Sequence, residues 1–316
     1  MRAAVVTELG KNPEYLEFPE PVLEAGEQLV HVRAAGLHNL VKALAKGSHY
    51  AGSNELPFVA GVDGVGTLES GERVYFIFAR RPWGTIAERA PAVKAMCARV
   101  PDGISDVDAA AVVNPGMAAW ISLKHRARVV TGETVVVLGA TGVAGNLSIQ
   151  SARLLGAKRI VAVGRSVELI DAGSVDRVIC LNDGEEAVRK AFEEEAAAGI
   201  DVAIDYIWGR PVEMLLEALT KQFNRMGTHA TRLVQIGDMA GKTITLPGST
   251  LRSVDLTIMG SGIGSSPMPR ILEAATDLFG LVAEGKLKQK TVAVPLAEVN
   301  AAWSRVEKAH RIVLTI

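Results

Sequence analysis

From Arg2 to about Ala90 the apolar positions come in short runs broken by glycine and proline: AAVV, QLVHVRAAG, FVAGVDGVGTL, and ERVYFIF followed by GTIAERA. Short β-branched and apolar runs between turn-forming residues are the signal of strands. Their density predicts a compact β-rich domain of barrel type. VPDGISDVDAAAVVN then introduces a helix, with Asp106 placed to cap the Ala-rich run that follows. From about Gly116 to Gly260 the pattern changes. VVVLG, RIVAVG, RVICL, DVAIDYI, RLVQIG and LTIMG alternate with helical stretches, which predicts a doubly wound parallel sheet. Among those helices EEAVRKAFEEEAAAG is amphipathic, its charges expected on the wet face. The last part, RILEAATDLFGLVAEGKL, then KTVAVPLAEVNAAWSRVEKA and RIVLTI, reads helix, strand, helix, strand.

The segment VVVLGATGVAGNLSIQSARLLGAKRIVAVGRS carries the chemistry. The run Val135 to Leu138 feeds a turn with Gly139, Gly142 and Gly145, then a helix, then a second apolar run, Ile160 to Val163. A βαβ unit of this kind holds a dinucleotide: glycines let backbone approach the pyrophosphate and let the helix pack on the sheet, while free N–H groups at the helix start face the anion. The expected cofactor contacts are Gly139, Thr141, Gly142, Val143 and Ala144. An NAD site places Asp or Glu about 20 residues beyond the glycines, on the ribose 2′-hydroxyl. At that spacing this chain has Gly164, followed by Arg165 and Ser166, a cation and a hydroxyl suited to a 2′-phosphate. NADP(H) is the expected cofactor; the bland alternative for Arg165 is a solvated residue at a strand end. Gly237 and Gly260 follow apolar strands at the sheet's carboxyl edge, where open α/β sheets bind ligands, or are ordinary turn glycines. Trp208 is expected to pack at a strand end.

At 316 residues the chain has room for two domains, and with 48% hydrophobic and 22% charged residues it is a well-buried globular protein. A formal net charge of -1 argues against a nucleic-acid binder, and the basic pair Arg80–Arg81 reads as ordinary surface. The start, MRAAVVTELG, lacks the apolar core of a signal peptide, and no apolar run approaches the length of a membrane span, so a cytoplasmic protein with no membrane partner is expected. Cys97 and Cys180, far apart and without a CxxC, read as buried thiols and not as a disulfide or zinc framework.

Several ordered motifs resemble a known family. They are Pro57-Phe58-Val59-Ala60-Gly61-Val62-Asp63-Gly64-Val65-Gly66, Gly84-Thr85-Ile86-Ala87-Glu88, Asn114-Pro115-Gly116-Met117-Ala118-Ala119-Trp120, the glycine turn, Asp205-Tyr206, Leu233-Val234-Gln235-Ile236-Gly237 and Leu251-Arg252-Ser253. Together they resemble the zinc-free quinone oxidoreductase branch of the medium-chain dehydrogenase/reductase superfamily, over essentially the whole chain. The resemblance implies an α/β protein: a GroES-like β-barrel domain for substrate, residues 1–115 plus 265–316, and a Rossmann NADP(H)-binding domain with a doubly wound parallel sheet, residues 116–264. It also sets Asn114 and Met117 near the nicotinamide.

Zinc members of that superfamily have a Cys where this chain has His38 and a GHE motif where it has Gly61-Val62-Asp63. Val62 cannot ligate a metal, and His38 with Asp63 falls short of a catalytic zinc's usual three protein ligands. No metal site is expected. The quinone reductase branch usually carries Asn at the His38 position and Asp where this chain has Val41; Asn39 is one place off and is a candidate to compensate. Tyr50, in Gly47-Ser48-His49-Tyr50, is expected to wall the substrate pocket. The implied activity is hydride transfer from NADPH to a quinone or an α,β-unsaturated carbonyl, without zinc, with a proton from water, His38 or Tyr50. The alternative is a non-catalytic NADPH-binding structural or regulatory protein of the same fold. A homodimer through residues 255–260 is expected, since pairing removes an exposed strand edge.

Overall fold

Glycine and proline break the N-terminal segment into strands β1 (Arg2–Val6), β2 (Glu14–Glu17), β3 (Glu27–Leu37), β4 (Phe58–Val59), β5 (Asp63–Thr67), β6 (Arg73–Ile77), β7 (Arg89–Val93) and β8 (Cys97–Arg99), with helix α1 (Asn39–Ala45) after β3. Helix α2 (Asp106–Trp120) leads into β9 (Thr134–Leu138), α3 (Val143–Leu154), β10 (Arg159–Gly164) and β11 (Arg177–Cys180). Then come α4 (Glu185–Ala198), β12 (Val202–Asp205), α5 (Arg210–Thr220), β13 (Thr231–Gln235), α6 (Thr250–Ser253) and β14 (Leu256–Gly260). The chain closes with α7 (Met268–Ala283), β15 (Thr291–Pro295), α8 (Val299–Ser304) and β16 (Arg311–Thr315). The structure is a computed structural model that describes residues 1–49, 52, 55–222, 229–305, 307 and 310–316. It divides into two compact units, Met1–Asn114 with Met268–Ile316, and Pro115–Pro267.

The first unit has the GroES-like arrangement. Its larger sheet runs β15-β16-β3-β5-β6-β8, with β7 also paired to the long strand β3, and a smaller antiparallel sheet runs β2-β1-β4. Strands β15 and β16 are parallel and the other pairs of the larger sheet antiparallel, so the sheet is mixed. A core of Val6, Phe58, Ile86, Val41 of α1 and Trp303 of α8 fills the space beside it. The register matters most for function. Leu37 pairs with Ile312, Ala35 with Gly64, and Asp63 with Ile77. The end of β3, the start of β5, the end of β6 and the start of β16 therefore share one end of the sheet.

The second unit is the Rossmann unit. Its six strands are parallel and ordered β11-β10-β9-β12-β13-β14, so the order reverses between β9 and β12. Alternate residues of each strand enter opposite cores: Val136 and Leu138 pack with Phe192 of α4 and Leu215 of α5, and Val135 and Val137 with Ile149 of α3. Burial on both faces explains why these strands read as unbroken apolar runs.

Four sequence expectations need correction. Asp106 is not the cap of α2. Ser105 Oγ accepts the Asp108 amide N–H at 3.0 Å, and the Asp106 carboxylate instead accepts two bonds from Arg73, at 2.7 and 3.0 Å. Not every charge of α4 faces water. Glu195 is buried and holds both Arg159 and Arg177, because the helix turns this one carboxylate toward the sheet edge. Arg80 and Arg81 are half-buried, Arg80 bonded to Glu27 and Arg81 stacked 3.6 Å from the Phe58 ring centroid. Cys97 and Cys180 are free thiols but half-buried; burial pushes the Cys97 thiol up. Trp208 does pack where expected, against the core beside α4 and α5.

Candidate functional site

The glycine turn lies at the carboxyl end of β9, beside the point where strand order reverses. Gly139 has φ +89°, the left-handed region, and an added Cβ there would stand 3.0 Å from both Tyr206 Cβ and Ile207 Cγ2. At Gly145 an added Cβ would strike the Gly139 carbonyl oxygen and lie 2.7 Å from Ala140 Cα, so α3 packs on the turn only without a side chain there. Gly142 occupies the position before α3 and offers it no side-chain cap. The amide N–H groups of Val143, Ala144 and Gly145 are the ones a helix start leaves without intrahelical partners. Such a terminus suits an anion.

Around this turn the structure gathers most of the residues singled out by sequence. The Thr141 side chain lies against Gly164, where an added Cβ would meet Thr141 Cγ2 at 2.6 Å. Arg165 follows with an exposed side chain, while its carbonyl accepts from Asn182 Nδ2 at 3.0 Å. Ser166 is half-buried. The Gly237 backbone runs against Tyr206, which in turn stands over Gly139. Gly260 ends β14 opposite Gln235, and an added Cβ there would meet open space. Half-buried Asn114 and buried Met117 lie on α2, either side of the boundary between the two units.

Asp205, last residue of β12, was not foreseen as a titrating group. It is fully buried, and its Oδ1 accepts the N–H groups of Ile207 and Trp208 at 2.9 and 3.0 Å, which fixes the loop over Gly139. Burial pushes its carboxyl up to about 6, against the opposing pull of those two N–H donors. The folded chain thus holds this proton more tightly than the unfolded chain, so stability falls as pH rises from about 4 to about 6 and stays lower above. Asp205→Asn keeps an oxygen for both N–H groups but cannot ionise. The stability of the variant relative to the parent, read from denaturation curves, is expected to climb between about pH 4 and pH 7, by about 3 kcal/mol at most. A difference that stays flat across that range would contradict the assignment.

In the first unit, His38, Asp63, Tyr75 and Arg311 converge at the shared end of the larger sheet. His38 precedes α1 in extended conformation and is 6% exposed. Its Nε2 lies 2.7 Å from Asp63 Oδ1. The Tyr75 hydroxyl donates to Asp63 Oδ2 at 3.0 Å. Arg311, 8% exposed, donates from an NH group to the Leu37 carbonyl at 3.3 Å, directly before His38. Burial pulls the Arg311 guanidinium down to about 10, with attraction to Asp63 opposing, which leaves it cationic at neutral pH. Burial, then the Asp63 charge, pushes the Tyr75 hydroxyl far up, so it remains a donor.

Of the candidate catalytic residues that the structure describes, His38 joins this cluster. Asn39 is exposed at the first position of α1, and Tyr50 lies outside the described residues. Sequence reasoning placed Asp63 only as a neighbour of His38 and missed Tyr75 and Arg311. A signal existed: Asp63 interrupts an apolar run and Arg311 opens one, and buried charges require partners. Among the described residues, no three His, Cys, Asp or Glu side chains are grouped so as to hold a metal ion. Nor is any helix of these residues long and apolar enough to cross a membrane.

A mixed GroES-like sheet joined in sequence to a Rossmann unit with its glycine turn is the fold of the medium-chain dehydrogenase/reductase superfamily. Within that superfamily the chain is similar to quinone oxidoreductases. No family model matches it. It is 28% identical to a protein of Emericella nidulans named "Probable NADPH-dependent quinone reductase", over 99% of each chain. Among solved structures it is similar to the quinone oxidoreductase of Thermus thermophilus, a structure also determined with NADPH, at 26% identity and a TM-score of 0.80 over the whole of both chains. A mycobacterial quinone oxidoreductase shares the fold with a TM-score of 0.86, at 22% identity over the whole of both chains.

Proposed function

We infer that the protein is an NADPH-dependent, zinc-independent reductase that delivers hydride to a quinone or an α,β-unsaturated carbonyl. The observation that carries this reading is the strand–turn–helix cradle, with its uncapped helix start and a packing that excludes any side chain at Gly145. The N–H groups of Val143, Ala144 and Gly145 would hold the pyrophosphate, with Gly139, Thr141 and Gly142 forming the turn around it. Arg165 and Ser166 would take the ribose 2′-phosphate, and no carboxylate stands at Gly164 to favour a free 2′-hydroxyl. Gly237 and Gly260 would give the nicotinamide ribose access to backbone, and Asn114 and Met117 would serve the nicotinamide end. Bound NADPH supplies a hydride from C4 of its nicotinamide.

The acceptor gains that hydride and a proton, becoming a hydroquinone or a saturated carbonyl. His38 is assigned as the side-chain proton source. Zinc independence is supported by the donor set: Val62 is buried among apolar side chains and the His38 ring is committed to Asp63. An electron-poor acceptor needs no Lewis acid to take up hydride, unlike an alcohol losing it. The test is NADPH oxidation with a benzoquinone, a naphthoquinone, an enone, a 2-alkenal and, with NADP⁺, a simple alcohol. Turnover with quinones or enones supports the reading. Turnover with the alcohol alone contradicts it, and NADPH binding without any turnover favours a non-catalytic binder.

Arg165→Glu is expected to lower kcat/KM for NADPH about 10- to 100-fold, the worth of a charge-assisted contact, and to leave NADH little affected. An unchanged NADPH-to-NADH ratio would remove Arg165 from the 2′-phosphate site. The protein is also assigned as a homodimer. Strand β14 ends the parallel sheet with much of its surface exposed, and edge-to-edge pairing with a second copy would cover it. Light scattering behind size exclusion is expected to give a dimer at micromolar concentration; a monomer there would refute this assignment.

A further inference from the structure

We propose that Asp63 is a positioning residue for the reaction: it fixes His38 in the tautomer with the proton on Nε2, so that Nδ1 is the ring nitrogen that exchanges a proton with the acceptor. The inference rests on the assignment of His38 as proton source. It is carried by the buried contact of His38 Nε2 with Asp63 Oδ1 at 2.7 Å and by what else Asp63 does.

A ring nitrogen and a carboxylate oxygen this close share one proton, and its owner decides what the other nitrogen can do. Asp63 Oδ2 already accepts the Tyr75 hydroxyl at 3.0 Å, and burial keeps that hydroxyl protonated. The buried Arg311 guanidinium places a positive charge beside the same Asp63 side chain. With Oδ2 already an acceptor for Tyr75 and Oδ1 facing the ring, the carboxyl group is assigned as acceptor at both oxygens and the proton of the close contact to Nε2. Among the described residues, Nε2 is the ring nitrogen that is hydrogen-bonded, which leaves Nδ1 for chemistry. The Asp63 carbonyl is held as well, accepting the Thr85 hydroxyl at 2.7 Å, and Arg311 grips the carbonyl of Leu37 just before His38. Both partners of the pair are therefore anchored through their backbones. The arrangement has the logic of a carboxylate that orients a catalytic imidazole in a hydrolase, where an Asp-to-Asn change leaves the geometry but presents the wrong tautomer.

In the transfer step, hydride adds to the acceptor and its oxygen gains an electron pair. That oxygen takes the proton from Nδ1 of the doubly protonated ring, which returns to the neutral Nε2–H form. A solvent proton recharges Nδ1.

The test is nitrogen–proton correlation NMR of His38 in the intact wild-type protein, assigned by comparison with His38→Asn, together with the kinetics of Asp63→Asn. The neutral wild-type ring is expected to show the proton on Nε2, and Asp63→Asn to shift it to Nδ1. Turnover is expected to fall about 100-fold or more in that variant, with KM for NADPH held within about 2-fold. A wild-type ring protonated on Nδ1 overturns the proposal, and this result needs neither a variant nor a known acceptor. Asp63→Asn with the reversed tautomer and undiminished turnover also overturns it. If no acceptor is turned over at all, the reductase reading fails by itself, while the wild-type spectrum still decides the tautomer.

Discussion

Gly145→Ala is expected to weaken NADPH binding by about 10-fold or more. The added methyl group has no free space to enter: it strikes the Gly139 carbonyl oxygen and comes within 2.7 Å of Ala140 Cα, both backbone atoms of the turn itself. Backbone cannot rotate away as a side-chain end can, so α3 must lift from the turn. Overpacking of this kind costs about 1–3 kcal/mol. Part falls on stability and part on the N–H groups of Val143, Ala144 and Gly145, which lose their common aim at the anion. NADPH titration by fluorescence, beside a melting curve, separates the two. Gly280→Ala in α7 is the control, since an added Cβ there meets nothing within 4 Å. It is expected to leave binding unchanged. Equal affinity in Gly145→Ala and the parent would show that the turn does not hold the cofactor.

His38→Ala is expected to lower turnover on the true acceptor about 10²- to 10⁴-fold, the usual contribution of a positioned acid or base. It also strands Asp63, whose carboxylate then keeps, among the described residues, the Tyr75 hydroxyl as its side-chain hydrogen-bond donor. A buried carboxylate short of a partner costs stability, so the melting temperature is expected to fall too. NADPH affinity should change little, because His38 belongs to the first unit and the glycine turn to the second. Retained turnover in both His38→Ala and Tyr50→Phe would end the assignment of a side-chain proton donor and leave water as the source.

The architecture was legible because burial writes itself into sequence. Strands β9, β10 and β12, covered on both faces, appear as unbroken apolar runs, and the glycines at 139, 142 and 145 stand where strand gives way to helix. Local chemistry was harder to read. Whether Ser105 or Asp106 caps α2 depends on Arg73, which lies far off in sequence and claims the Asp106 carboxylate. The pair of arginines on buried Glu195 depends likewise on the spacing of β10 and β11 beside α4. The cluster on Asp63 draws on four strand ends from residues 38 to 311, and only the register of β16, β3, β5 and β6 brings them together. His38 carried the clearest signal, as an ionisable residue at a position with a family role. Its partners are set by strand pairing, which local patterns do not specify.

The most direct test of the reductase assignment is a single-turnover mix: protein loaded with a stoichiometric amount of NADPH against an excess of a quinone or an enone, followed by the fluorescence of the bound reduced nicotinamide. The account predicts rapid loss of that signal, faster at higher acceptor concentration and slowed in His38→Ala. Bound NADPH that persists unchanged with every acceptor would contradict it and mark the chain as a cofactor-binding protein without this chemistry.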